Sequence, residues 1–203
     1  EPNGIDRPDL LKVAACRHHS CTSINGISRI GYIKGGNSAR FKDEELTDTV
    51  AKKSIEFLEA NQARPFFLYV GLFEPHVPRV ATAAYAGSTA IGVRGDVIQQ
   101  MDGTTGKILA ALDRLKLADN TLVIFTSDNG PVLFDGYFDH AREDTKDHRP
   151  AGGLRGWKYL VYEGSCRVPL IARWPAHIQP RVTDQMFGLV DLYATLAKIA
   201  GGK

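Results

Sequence analysis

Three apolar runs alternate along this chain with stretches of helical spacing, and that alternation restricts it to an α/β fold. The first run, Phe66-Phe67-Leu68-Tyr69-Val70-Gly71-Leu72, is continuously apolar and aromatic, as expected of a strand buried on both faces. The second is Thr121-Leu122-Val123-Ile124-Phe125, and the third opens at Val168 and is stopped by Pro175. Before the first run, Leu46, Val50, Ser54, Phe57 and Leu58 recur at helical spacing, which predicts a helix over 43–61. Asp43 reads as its N-cap, with Glu44 and Glu45 in the first turn. Val97, Met101, Ile108, Leu112 and Leu115 predict a second helix over 93–117, and a short last helix is expected over 194–200. Strand–helix alternation implies a parallel-rich central sheet sandwiched by helices. The first forty residues read as irregular, punctuated by Gly26, Gly31, Gly35 and Gly36. With no repeat or linker, residues 1–203 read as part of one domain.

Composition excludes several function classes. A formal charge of +2 without a basic tract argues against nucleic-acid binding. Apolar runs of about eight residues at most are too short for a bilayer span. Three cysteines form no even framework of disulfides. Cys16-Arg17-His18-His19-Ser20-Cys21 crowds four zinc-type ligands together, too close to surround one tetrahedral ion, with no second ligand pair downstream. It reads as a polar surface loop. The chain opens Glu1-Pro2-Asn3-Gly4 without a Met or a signal peptide and reads as a piece of something longer.

The chemistry gathers at the ends of the apolar runs, where open α/β sheets bind ligands. Thr126-Ser127-Asp128-Asn129-Gly130-Pro131 follows the second run. Asp128 and Asn129 offer a carboxylate and an amide carbonyl, the hard oxygen donors that Ca²⁺ or Mg²⁺ prefers; the same two side chains also suit a strand-ending turn bonded to its own backbone. His76 sits between two prolines in Pro75-His76-Val77-Pro78, a stiff setting for a ring that must point one way. Lys158 follows Gly156-Trp157 and could meet a tetrahedral anion as a point charge. Arg167 pairs most simply with Glu163. The polar stretch over 133–157, with Asp135, Asp139, His140, Asp144, Asp147 and His148, is long enough to be functional or mobile.

These segments, in this order, resemble the type I sulfatases, the arylsulfatase-like members of the alkaline-phosphatase superfamily. The resemblance rests on Pro65-Phe66-Phe67-Leu68-Tyr69, Pro75-His76-Val77-Pro78, the run from Leu122 to Gly130, Gly156-Trp157-Lys158, Glu163-Gly164 and the run from Arg167 to Pro175. Met101-Asp102-Gly103, Gly106-Lys107-Ile108-Leu109 and the block from Val190 to Leu196 support it, so that it covers about 43–201. It implies an alkaline-phosphatase/sulfatase-like fold, here incomplete, within a single catalytic domain. It further implies that Asp128 and Asn129 ligate a divalent cation, usually Ca²⁺, and that His76 and Lys158 are catalytic residues contacting the sulfate ester. Asp102 and Asp191 are expected to be structural, and Arg167 to support its loop. The substrate would be a sulfated small molecule or glycan, and the setting periplasmic or secreted.

The family's nucleophile is a formylglycine made from cysteine in a Cys-x-Pro-Ser-x-Arg context. Cys16 and Cys21 lack the proline and arginine, and Cys166 has its proline one position too late. The nucleophile and the remaining metal ligands are therefore expected upstream, and this chain alone is expected to be inactive. Two oxygen ligands fall short of the roughly six to eight that Ca²⁺ takes. A phosphodiesterase or phosphonate monoester hydrolase of the same superfamily, and a non-catalytic degenerate relative, are the alternatives.

Overall fold

The computed structural model describes residues 7–14 and 16–202; the opening Glu1 to Gly4 lie outside them. After two single-turn 3-10 helices, Pro8–Leu10 and Arg17–His19, comes a hairpin, β1 (Ser23–Ile24) and β2 (Ile27–Ser28), paired antiparallel with Ile24 opposite Ile27. Its turn is Asn25-Gly26, both at positive φ (55° and 74°), the combination that a two-residue hairpin turn requires. The 7–40 segment is thus less irregular than expected, and Ile24 and Ile27 are buried in it. Arg29 and Asp43 then join the hairpin to the first long helix through a 2.7 Å ion pair.

That helix, α1 (Asp43–Asn61), has the expected bounds, but Lys42 occupies the N-cap and makes no side-chain cap bond. Asp43 is the first helical residue. Its carboxylate is buried against Arg29 and Asn25 instead of capping the helix. The next helix, α2 (Gly92–Arg114), ends three residues before the expected 117. Lys116 takes a left-handed φ of 57°, with Leu117 N–H donating to Leu112 O at 2.9 Å and Lys116 N–H to Asp113 O at 3.0 Å. This bond pattern closes a helix with one left-handed residue, and Leu117 folds back onto the core beside Leu112. The two helices run the same way: Thr47 bonds Gln100 near their starts, and Glu59 pairs with Arg114 at their ends. Leu58, Ala111, Leu112 and Ala118 form the core between them.

Phe66 and Leu68 pack under this core, and Phe66 meets Phe57 edge-on at 5.9 Å. Phe66, Leu68, Val70 and Leu72 are half-buried, while Phe67, Tyr69 and Phe73 are exposed. The expectation of burial on both faces is therefore corrected to one covered face. The segment also forms no β-ladder among the described residues. β3 (Val123–Thr126) pairs with β4 (Leu170–Arg173), and the pairing is antiparallel, Val123 opposite Arg173 and Thr126 opposite Leu170. α1 and α2 pack on Phe66, Leu68 and Val123, but no parallel pair forms among the described residues. An apolar run reports that a strand wants cover; it does not say which strand lies beside it.

Two short helices follow, α3 (Ala141–Asp144) before β4 in the polar stretch and α4 (Glu163–Cys166) just ahead of it. The stretch is pinned, not loose: Tyr137, Ala141 and Thr145 are buried, and the Tyr137 hydroxyl donates to Ser28 O. The last helix, α5 (Asp191–Ile199), starts three residues earlier than expected. The Asp191 carboxylate accepts from Gly188 N–H at 2.8 Å, a structural role in keeping with expectation.

Candidate functional site

β3 ends where its apolar pattern ends, and Ser127, Asp128 and Asn129 turn away from it. The turn is clamped to α4: Gly130 N–H donates to Ser165 O at 2.6 Å, and a Cβ on Gly130 would sit 1.9 Å from Gly164 O. Glycine at 130 is thus required by a close backbone approach. Asp128 is exposed, with Ser127 Oγ 3.5 Å away. Asn129 donates its amide N–H to Gly130 O at 3.0 Å, which directs its amide oxygen elsewhere. Both residues thus keep oxygen donors available, and the donor set fits a hard divalent cation. No cluster of three or more His, Cys, Asp or Glu side chains suited to a metal occurs among the described residues. The turn supplies part of a coordination shell.

His76 and Lys158, 82 residues apart, meet with Nε2 and Nζ 3.0 Å apart. His76 Nδ1 lies 2.7 Å from Val77 O. A carbonyl only accepts, so Nδ1 carries the proton of the neutral ring and Nε2 offers its lone pair to the ammonium. The Lys158 backbone N–H donates to Pro131 O at 3.1 Å, which ties the lysine to the Asp128–Asn129 turn. Arg167 pairs with Glu163 at 3.6 Å, both exposed, and touches none of these groups.

Sequence reasoning named Asp135 among many acids and gave it no role. Its Oδ2 lies 3.6 Å from Lys158 Nζ and 3.7 Å from His76 Nε2. Its Oδ1 accepts from the Tyr159 hydroxyl at 2.6 Å. Burial acts to raise the Asp135 carboxyl, but the Tyr159 hydroxyl, Lys158, His76 and His19 outweigh it and hold it below the ordinary carboxylate value. The carboxylate thus places a negative charge beside the Lys158 ammonium.

Arg79 was missed altogether. It follows Pro78, and its side chain is 1% exposed. It donates to Pro75 O at 3.0 Å, Val132 O at 3.0 Å and Leu133 O at 3.4 Å, and pairs with Asp139 at 2.7 Å. One guanidinium thus fastens the His76 turn to the segment that carries Asp135. On the other side of that turn, Gln100 and Thr47 hold the Glu74 carboxylate. The loop around Cys16 is corrected from a polar surface loop. His19 is buried, 3.3 Å from Cys16 Sγ, and its ring lies 4.6 Å from that of Tyr137.

A family model described as "Sulfatase" matches residues 15–202. N-acetylgalactosamine-6-O-sulfatase of Bacteroides thetaiotaomicron is 46% identical over 198 residues, covering 98% of this chain and 39% of that protein. A solved structure from work on the metabolism of multiple glycosaminoglycans by Bacteroides thetaiotaomicron superposes with a TM-score of 0.95 at 46% identity, covering 100% of this chain and 42% of the other. A Pseudoalteromonas sulfatase superposes with a TM-score of 0.69 at 28% identity, covering 88% and 35%. The fold is that of the alkaline-phosphatase-like sulfatases, present in part, since the chain spans less than half the length of these relatives. No described helix is long and apolar enough to cross a membrane.

Proposed function

This chain belongs to the sulfatase family, and from that premise we propose that the whole protein hydrolyses sulfate esters at the site built on Asp128, Asn129, His76 and Lys158. The observation that carries the reading is the 3.0 Å meeting of Lys158 and His76, with the lysine backbone bonded to the turn that bears Asp128 and Asn129. Sulfatases as a family use a divalent cation and a formylglycine. In this reading Asp128 and Asn129 hold the cation, Ca²⁺ by preference, through the carboxylate and the amide oxygen. The bound cation supplies Lewis-acid stabilisation of negative charge on the ester oxygens.

The chain's own residues supply orientation and charge. Lys158 presents an ammonium to the non-bridging oxygens of the ester, where charge grows in the transition state. His76, once protonated, donates from Nε2 to an ester oxygen; Val77 O holds the ring in place through Nδ1. No cysteine here has the family's context, so the nucleophile lies outside these residues. We take residues 1–203 as part of a single catalytic domain. The likeness to N-acetylgalactosamine-6-O-sulfatase supports a 6-O-sulfated amino sugar as substrate class. Sulfatases are typically secreted or lysosomal, which supports a secreted or periplasmic setting.

Lys158→Ala tests the assignment in the whole protein. Loss of one preorganised positive group should lower kcat/KM on a sulfate ester by about 100-fold or more, while the unfolding midpoint stays close to that of the parent. Steady-state kinetics beside a urea titration reads both. An unchanged rate would return Lys158 to the role of a surface charge.

A further inference from the structure

We propose that Asp135 sets the charge of the Lys158–His76 pair and so selects singly charged esters over doubly charged ones. The inference rests on the sulfate-ester reading of the site. Asp135 sets one negative charge against the Lys158 ammonium, whatever charge a cation on the Asp128–Asn129 turn adds to the site. A sulfate monoester brings one negative charge to face that carboxylate. A phosphate monoester brings close to two at neutral pH, so Asp135 repels it about twice as strongly.

Three features keep the carboxylate where it is. Its Oδ2 faces both Lys158 Nζ and His76 Nε2, at 3.6 and 3.7 Å. Its Oδ1 is held at 2.6 Å by the hydroxyl of Tyr159, a non-glycine residue at a φ of 81°; such a conformation persists where the surroundings over-determine it. Behind it, Gly136 lies flat against the His19 ring, where a Cβ would come within 1.9 Å of Cε1. Cys16 N–H also donates to Gly136 O at 3.2 Å. The segment around Cys16 to His19 thus backs the residue next to Asp135, and the carboxylate has little room to swing away. His19 is the further titratable group that faces Asp135 from this side.

Asp135→Asn keeps the shape and the oxygen that Tyr159 uses, and removes one negative charge. The test compares binding of two inert anions to the whole protein by calorimetry: 4-nitrobenzyl sulfonate, singly charged, and 4-nitrobenzyl phosphonate, taken above its second ionisation so that it is doubly charged. The sulfonate-to-phosphonate affinity ratio should move toward the phosphonate by about tenfold or more. Tyr159→Phe, at an exposed side chain, should move it the same way by less and decides the matter if Asp135→Asn does not fold. A ratio that stays put, with both affinities unchanged or both lowered alike, assigns Asp135 to folding alone and overturns the proposal. Because neither anion is hydrolysed, this outcome is separate from whether the protein cleaves sulfate esters.

Discussion

Replacing Asp128 by alanine is expected to cut sulfate-ester hydrolysis by the whole protein by about 100-fold or more, together with its bound divalent cation. The carboxylate is exposed, and its one hydrogen-bond contact among the described residues is Ser127 Oγ at 3.5 Å. Stability therefore owes it little, and any loss reports chemistry. The clamp that shapes the turn, Gly130 N–H on Ser165 O, uses backbone atoms that the substitution leaves alone. Metal content by atomic emission, kcat/KM on a sulfate ester and the unfolding midpoint should be read on the same preparation. Loss of activity with the cation retained would move Asp128 out of the metal shell.

Asp139→Ala should have the largest effect on stability. Arg79 is 1% exposed at its side chain and Asp139 9%, so the substitution strands a buried guanidinium with three carbonyls and, among the described residues, no paired carboxylate. Breaking a buried ion pair by removing one partner costs about 3–5 kcal/mol, against a total stability of roughly 5–15 kcal/mol for a typical protein. The same guanidinium joins the turn bearing His76 to the segment bearing Asp135, so activity should fall with stability. Urea unfolding of the whole protein measures the shift. A change below about 1 kcal/mol, the range of an exposed pair, would show that Arg79 finds water or another partner.

Local pattern made much of this legible. The helix over 43–61 was readable from its spacing, and the hairpin was readable in principle from Asn25-Gly26 between Ile24 and Ile27. The bare face of Phe67, Tyr69 and Phe73 was not, because continuous apolarity states a preference for cover without naming the neighbour. Antiparallel pairing of β3 with β4 was hidden for the same reason. Within the site, Asp128 and Asn129 could be read from a strand end. His76 and Lys158 stood out by their loop settings and took their roles from the family blocks, and only folding brings them to 3.0 Å. Arg79 with Asp139 (60 residues apart) and Gly136 under His19 leave no local signature at all. Contacts of that kind are fixed by long-range packing, and they position the charged groups of the site.

On the proposed reading, Asp128, Asn129, His76 and Lys158 form a cation-dependent sulfate-ester site. Its most direct test is sulfate release from 6-O-sulfated N-acetylgalactosamine by the whole protein, before and after treatment with a chelator and again after added Ca²⁺. Release should stop with the chelator and return with Ca²⁺. Undiminished release in the chelator would show that hydrolysis needs no cation on Asp128 and Asn129.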